Sequence, residues 1–313
     1  MKSMRLYALL VTGILACAVA PRAPAAGVDV DRDETMPSGG RERTYHVHLP
    51  PDAWTGGPRP LVLVFHGGGG TGRGAARLYR FNQLGDARGF LVVYPDGVGR
   101  RWNDGREPTG ERWLNTLPVD DVGFISALID RLRAEFPIDP RRVYATGMSN
   151  GGILSHRLGC ELSGKIAAIA PVAGTIAAPE APRCTPGAPV SIIEWHGTDD
   201  RFVPYSGGDI LGRPANGRVL SAEETIALWA RLNGCPPGLQ QSNLAPLDPA
   251  DATRVRRSTF GGCRLGSEVT LYTIEGGGHT WPGTAPLPFL GPTSRQINAT
   301  QVIWEFFERH PHR

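Results

Sequence analysis

Long apolar segments and clustered positive charge are both scarce in this chain of 313 residues. Beyond residues 1–26 no apolar run approaches the length that spans a bilayer, which argues against a membrane channel. Lysine occurs only at Lys2 and Lys165, and the formal net charge is +3. Lys2, Arg5 and Arg22 lie in a leader without acids and account for the whole excess. A neutral remainder offers no electrostatic surface for nucleic acid or anionic membrane, so neither partner is expected.

Motifs that would hold a metal or a nucleotide are also missing. No C-x-x-C pair appears, and the cysteine spacings match no zinc module. The glycine-rich segment 66–70 lacks the Lys-Ser/Thr of a phosphate-binding loop. His46 and His48 alternate on an early strand, where a solvated face is the expected position rather than a metal site. We expect no metal and no organic cofactor.

Residues 1–26 have the pattern of a secretory signal peptide. Lys2 and Arg5 form a charged start, an apolar stretch covers 6–20, and small residues occupy 23–25. The alternatives are a membrane anchor, a buried helix, or lipidation at Cys17, whose preceding residues form an imperfect lipobox. The sequence therefore predicts an exported chain over 27–313, secreted to the periplasm or the medium, with a lipoprotein as the variant form.

Four cysteines remain after the leader, and an even number in an exported chain suggests two disulfides. Three pairings are possible. The simplest joins neighbours in the sequence, Cys160 with Cys184 and Cys235 with Cys263. Each such loop would be worth about 3 kcal/mol in the chain-entropy model.

Apolar runs that alternate with amphipathic stretches predict a single α/β domain over 27–313, a mostly parallel sheet wrapped by helices. A helical face is expected over 121–136, where apolar residues recur at spacings of three and four, and Asp120 and Asp121 would cap it. The other predicted elements are strands at 60–65, 89–94, 142–146, 190–195 and 269–274, and helices at 221–233 and 296–309. Two stretches rich in glycine and proline, 204–218 and 236–266, are expected to be surface insertions.

The most informative local motif is G-x-S-x-G at residues 147–151, between a predicted strand and a predicted helix. Its glycines permit a tight turn that lifts the Ser149 hydroxyl clear of the sheet, as a nucleophile requires. An ordinary strand–helix turn is the alternative.

A nucleophilic serine needs a base, and eight histidines compete for that role. His279 is favoured because it follows the last predicted strand in a glycine-rich loop, in the chain order Ser, acid, His. His196 ends a strand and is a second candidate, whereas His156 should point along the helix that follows Ser149.

The acid that orients the base should follow a strand between Ser149 and His279. Asp199 and Asp200 both meet that condition, and spacing does not separate them. Backbone N–H groups must also stabilise the oxyanion, and the run of glycines at 67–70 allows close approach to a substrate. The expected donors are the N–H of Gly68 or Gly69, together with that of Asn150.

Taken together, these motifs resemble the α/β-hydrolase superfamily, and more closely the secreted esterases grouped as polyhydroxybutyrate depolymerases and feruloyl esterases (carbohydrate esterase family 1). The resemblance covers about residues 40–310. It depends on HGGGG at 66–70, YPDG at 94–97, VDDVGF at 119–124, GMSNGG at 147–152, HGTDDRFVPY at 196–205 and GGGHTWPG at 276–283. It implies that Ser149 is the nucleophile, His279 the base and Asp200 the acid.

The resemblance implies a secreted serine carboxylesterase acting on a small-molecule or polymeric ester. The sequence departs from the extracellular polyester depolymerases in two ways. It shows no linker with a polymer-binding domain, and glycines stand in place of the cysteine of their H-G-C segment. Both departures favour soluble feruloyl or acetyl esters of plant polysaccharide as substrates. Trp281, Trp102 and Trp113 could stack on an aromatic acyl group or a sugar, with core packing as the alternative. The alternatives to this function are an oligoester depolymerase, a peptidase, and an exported binding protein on an inactive hydrolase scaffold.

Overall fold

A computed structural model describes residues 30–51, 57–107 and 119–313. The strands, in chain order, are β1 (Asp31–Ser38), β2 (Arg41–His48), β3 (Arg59–Phe65), β4 (Leu91–Pro95), β5 (Ile138–Met148), β6 (Ala168–Val172), β7 (Ser191–Gly197), β8 (Gly208–Asp209), β9 (Arg218–Val219), β10 (Gln240–Asn243), β11 (Arg254–Phe260) and β12 (Val269–Glu275). The α-helices of these residues are α1 (Gly72–Tyr79), α2 (Phe81–Arg88), α3 (Asp121–Glu135), α4 (Asn150–Glu161), α5 (Ala222–Leu232) and α6 (Ala299–Arg309).

Ten of the strands form one sheet in the order β1-β2-β4-β3-β5-β6-β7-β12-β11-β10. The six central strands, from β4 to β12, are parallel, and the two strands at each edge are antiparallel. Parallel strands direct their carboxyl ends to the same side of the sheet, where ligand sites of open α/β sheets usually lie. The loops after β3, β5, β7 and β12 are therefore brought together.

Helices cover both faces of the sheet, as the sequence predicted. Leu61, Leu63 and Phe65 of β3 join the apolar layer beneath α3, α4 and α5. Val62 and Val64, which alternate with them, join the layer beneath α1, α2 and α6. Because β3 is buried on both faces, its sequence is an almost continuous apolar run.

Helix α3 coincides with the predicted helix. The Asp120 carboxylate caps it by accepting the Gly123 N–H at 2.7 Å. Asp121 instead turns inward and accepts a hydrogen bond of 2.7 Å from the Arg43 guanidinium. The acidic pair therefore divides into one cap and one buried ion pair.

The prediction that 236–266 is a surface insertion was wrong. This stretch contains β10 and β11, which extend the main sheet by two antiparallel strands. The strands escaped detection because β10 is exposed and polar throughout and β11 is rich in arginine. The stretch 204–218 contains β8 and reaches the start of β9, and those two strands pair separately from the main sheet.

His46 and His48 are also not on a solvated face, since each is 5% exposed. Three aspartates cover them: Asp33 contacts the His46 Nδ1 at 3.0 Å, and Asp31 and Asp86 each contact a His48 ring nitrogen at 2.9 Å. The strand β1 that brings Asp31 and Asp33 is itself polar, so its pairing with β2 was not evident from sequence.

Two disulfides join Cys160 with Cys184 and Cys235 with Cys263, the sequence-local pairing. Within the described residues, no helix has the length and apolar character needed to cross a membrane. The predicted signal peptide, the lipidation candidate Cys17 and Trp113 all lie outside the described residues.

Candidate active site

Ser149 occupies a sharp turn between β5 and α4. Its backbone has φ 57° and ψ −121°, a conformation that L-residues rarely adopt and that marks strained functional turns. The flanking glycines are required by the turn, because a Cβ at Gly151 or at Gly147 would lie 2.5 Å or 2.7 Å from the Phe65 carbonyl oxygen. The Ser149 N–H donates to Val172 of the neighbouring β6 at 2.8 Å, which fixes the turn on the sheet.

His279 lies in the loop that follows β12, and its Nδ1 is 2.7 Å from Oδ2 of Asp200. A carboxylate only accepts hydrogen bonds, so the proton of the neutral imidazole is on Nδ1 and Nε2 carries the lone pair. Ser149 and His279 border the same cavity. No hydrogen bond joins them among the described residues; such contacts often form only when substrate is bound.

Of the two aspartates that spacing left open, Asp200 is the one that contacts His279. It is buried just after β7, and its Oδ1 accepts the N–H groups of Phe202 and Val203 at 2.8 and 2.9 Å. Burial alone would raise the pKa of Asp200, but hydrogen bonds and charge from His196 and His279 hold it well below the usual value. Asp199 is exposed, and among the described residues its carboxylate accepts a hydrogen bond only from the Thr198 hydroxyl.

The glycine-rich loop after β3 passes beside the serine turn. Gly69 is not available as an oxyanion donor, because its N–H already donates to the Arg100 carbonyl at 2.8 Å. Gly68 remains a candidate donor to the oxyanion. It lies close to Asn150, since a Cβ placed on Gly68 would be 3.9 Å from the Asn150 Cβ. Asn150 is the first residue of α4, a position whose N–H has no partner within a helix.

Buried contacts hold this loop in place. The His66 Nδ1 donates to the Gly67 carbonyl at 2.8 Å and its Nε2 accepts the Gly97 N–H at 3.0 Å. Burial lowers the pKa of His66, which keeps the imidazole neutral in that tautomer. Trp102, predicted as a stacking platform, donates from its indole to the His66 carbonyl at 2.9 Å and is 2% exposed. It supports the loop from behind and does not border the cavity.

Trp281 likewise does not face the cavity. It is 1% exposed, stacks on Tyr79 with ring centroids 4.2 Å apart, and donates from its indole to Thr300 at 3.0 Å. Two of the three tryptophans predicted to stack on substrate are therefore core residues. Neighbours from α1 and α6 enclose Trp281. The glycine-rich loop after β3 covers Trp102.

A network around the Asn150 side chain was missed by sequence reasoning. Asn150 accepts the Trp102 N–H at 2.8 Å and donates to the Trp102 carbonyl at 3.0 Å and to Asp104 at 2.5 Å. Asp104 in turn pairs with Arg106, and both are buried. Arg106 donates to the Asn216 carbonyl at 3.2 Å, so the network links the serine turn to the 204–218 stretch.

The cavity next to Ser149 has a volume of about 600 Å³. Phe202 packs over the His279 ring with centroids 5.0 Å apart. Phe289 and Leu211 are 73% and 47% exposed at its border. Its apolar lining consists mainly of Leu78, Phe202, Leu211, Leu287, Phe289 and Leu290. A cavity of this kind suits an apolar substrate group placed next to Ser149.

Comparison with known proteins agrees with this arrangement. Residues 43–200 match the family model described as Esterase PHB depolymerase. The chain belongs to this esterase family. A relative named "Putative esterase NocK", from Nocardia uniformis subsp. tsuyamanensis, is 31% identical over 91% of this chain and 84% of its own length. Feruloyl esterase D of Neurospora crassa is 25% identical over 93% of this chain and 92% of its own.

The fold of this esterase is also shared with a solved structure. An acetyl xylan esterase from Aspergillus awamori superposes with a TM-score of 0.56 at 15% identity, over 88% of this chain and 99% of that one. The α/β-hydrolase fold expected from the motifs is confirmed, and the chain is a hydrolase of carboxylic esters. The alternative of an inactive binding scaffold is set aside on this ground.

Proposed function

We propose that Ser149, His279 and Asp200 are the catalytic triad of this esterase. Ser149 Oγ attacks the ester carbonyl carbon while His279 Nε2 takes the hydroxyl proton. The N–H groups of Gly68 and Asn150 bind the resulting oxyanion. His279 then returns the proton to the leaving alcohol. Water next attacks the acyl carbon while His279 takes its proton, and this proton passes to Ser149 Oγ as the bond to the acyl group breaks and the acid leaves. The observation that carries the proposal is the 2.7 Å contact between His279 and Asp200 beside the strained Ser149 turn.

For the substrate we propose feruloyl-type or acetyl-type esters of plant polysaccharide. The apolar cavity and the Phe202 ring beside His279 support an aromatic acyl group, which would pack against apolar surface next to the reacting carbonyl. The relative from Neurospora crassa, whose name gives feruloyl esterase activity, supports the same class.

An oligoester of 3-hydroxybutyrate is the second candidate. Phe289 and Leu211 expose large apolar surfaces at the border of the cavity, where an apolar polyester could lie. The matched family model, described as a PHB depolymerase, supports this candidate as well.

The triad is tested by Ser149→Ala, with Ser242→Ala on the exposed strand β10 as the matched control. We expect Ser149→Ala to lose nearly all ester turnover and all labelling by a fluorophosphonate, since only the nucleophile forms the covalent bond. The control should keep both. Labelling at another serine, or turnover in Ser149→Ala, would overturn the assignment.

The substrate is tested by offering the protein methyl ferulate and a soluble 3-hydroxybutyrate oligomer together and identifying products by mass. Faster release of ferulate supports the first candidate and faster release of hydroxybutyrate the second. If neither is released while the fluorophosphonate still labels Ser149, the feruloyl and hydroxybutyryl groups are both wrong, and the acetyl-type esters of the first candidate are assayed next.

We propose that the protein is exported, with residues 1–26 removed as a signal peptide. Both pairs of described cysteines are oxidised, which suits an oxidising compartment. The mass of the protein recovered outside the cytoplasm tests this directly: cleavage near residue 26 is expected, whereas a diacylglycerol on Cys17 would indicate a lipoprotein.

A further inference from the structure

Asp200 is one end of a row of four buried ionisable side chains, and the proposed mechanism does not use the other three. Asp200, His196, Glu194 and His156 have no exposed side-chain surface. The His196 Nε2 is 3.5 Å from Asp200, the His196 Nδ1 is 3.6 Å from Glu194, and the His156 Nε2 is 2.8 Å from Glu194. The row ends at Trp229 of α5, whose indole is 3.0 Å from the His156 Nδ1.

The proton on His156 follows from its partners. An indole N–H can only donate, so the His156 Nδ1 accepts and carries no proton. His156 is therefore neutral, with its one proton on Nε2, and donates it to Glu194 Oε2. This leaves Glu194 Oε1 to face His196.

His196 can be treated in the same way. Its Nε2 is 2.8 Å from the Val203 carbonyl, which can only accept, so Nε2 carries a proton. The His196 Nδ1 and Glu194 Oε1 face each other, and neither has a hydrogen-bond partner among the described residues. Two lone pairs opposed in a buried site would be costly, so one proton must lie between these atoms.

The surroundings decide which atom holds that proton. Two carboxylates, Glu194 and Asp200, lie on either side of the imidazole. The Tyr205 ring at 5.9 Å and Thr273, its partner on β12, are uncharged neighbours. Burial by itself would lower the pKa of His196, but the two carboxylates beside it, Asp200 and Glu194, raise it to about 10.

We propose that His196 is a positioning residue that stays protonated at neutral pH, an imidazolium between Glu194 and Asp200 that keeps Asp200 ionised and oriented towards His279. This inference depends on the proposed triad. With His196 charged, the buried row carries one net negative charge, which His279 neutralises when it takes the proton from Ser149. Without that cation two carboxylates would act on His279 and favour its protonated, inactive form.

The first test is NMR of the full chain labelled with ¹⁵N-histidine. We expect the His196 ring, identified by its contact with the Tyr205 ring, to show both nitrogens protonated from pH 5 to 9, and His156 to show Nε2–H alone. A His196 Nδ1 without a proton in that range would overturn the assignment. This measurement needs no variant and no turnover, so its failure is distinct from failure of the triad, which fluorophosphonate labelling reports.

The second test is the pH profile of kcat/KM in His196→Gln, which keeps an N–H for the Val203 carbonyl but removes the charge. We expect the acid limb to move up by about one pH unit, with a fall of about tenfold or more in kcat/KM below neutral pH. His310→Gln is the matched control, a buried histidine that contacts a backbone carbonyl away from the cavity. An unmoved acid limb in folded His196→Gln would refute the positioning role.

Discussion

The Asn150 side chain offers a sharp test of how the serine turn is held. The isosteric substitution Asn150→Asp preserves the shape of the side chain and the oxygen that accepts the Trp102 N–H. The amide nitrogen, however, becomes an oxygen that faces two acceptors, the Trp102 carbonyl at 3.0 Å and an Asp104 oxygen at 2.5 Å. Since Asn150 is 3% exposed, water cannot replace the lost donors.

The magnitude follows from those two contacts. A buried acceptor left without its donor costs about 1–3 kcal/mol, and the Trp102 carbonyl becomes such an acceptor. The Asp104 Oδ2 loses the Asn150 bond but keeps one from Arg106 at 2.8 Å, so its cost comes from the buried charge placed beside it. Repulsion between the new carboxylate and Asp104 adds to this cost, and Arg106 beside Asp104 offsets part of it. We expect a loss of about 4 kcal/mol in the free energy of unfolding at pH 8.

The cost should depend on pH. Burial next to Asp104 raises the pKa of the introduced carboxyl in the folded state above its unfolded value of about 3.9. A group of this kind favours folding at low pH, and that contribution is lost as pH rises through the folded pKa. The difference from the unsubstituted protein should therefore be smaller at pH 5 than at pH 8, because the protonated carboxyl recovers one donor.

Urea unfolding at pH 5 and pH 8 measures both effects. Asn243→Asp, at the exposed end of β10, is the control and should change the free energy of unfolding by less than about 0.5 kcal/mol. A loss below about 1 kcal/mol for Asn150→Asp at pH 8, or an equal loss at both pH values, would refute the reasoning.

Three further predictions concern other parts of the molecule. Replacing Cys160 and Cys184 together by Ser should lower the free energy of unfolding by about 3 kcal/mol, measured in urea, because the bond closes a separation of 24 residues; no loss would mean that the bond does not constrain the unfolded chain. Folding raises the pKa of His196 from 6.5 to about 10, so the protonated imidazole stabilises the fold fully below pH 6.5 and loses this contribution as pH rises towards 10. The free energy of unfolding, measured from pH 6.5 to 10, should show this decline in the unsubstituted protein and not in His196→Gln. Trp281→Phe should lower the free energy of unfolding by about 1–2 kcal/mol, because the hydrogen bond to Thr300 is lost, and should leave KM for methyl ferulate unchanged. Phe202→Ala should instead raise that KM. The reverse pattern would restore Trp281 as a substrate contact.

The parts of the site that sequence predicted are those set by short segments. The G-x-S-x-G turn can be recognised because a strand, a strained residue and a helix must follow one another within a few positions. Asp200 and His279 each follow a strand closely, and parallel strands bring such positions to one side of the sheet. For Asp199 and Asp200, however, only the resemblance to a family separated the two, since their difference lies in which side chain turns inward.

The parts that sequence did not predict depend on neighbours far along the chain. Whether Trp281 faces substrate or core is decided by Tyr79, at the end of the first helix, and by Thr300, in the final helix. Gly69 is indistinguishable from Gly68 as a residue type, and only the Arg100 carbonyl shows that its N–H is occupied. No local pattern contains this information.

The buried row behind Asp200 lies between these two cases, because a signal for it was present in the sequence. Strand β7 reads SIIEWHG, and an inner strand of a parallel sheet is buried on both faces. Glu194 and His196 are two positions apart and so project from the same face. A carboxylate enclosed in this way needs a buried partner of opposite charge or a hydrogen-bond donor. Of the histidines available, His156 lies in α4, which packs against this same layer of the sheet. An acid and a base at i and i+2 on an inner strand therefore indicate a buried polar network, and here that network leads to the catalytic side of the sheet.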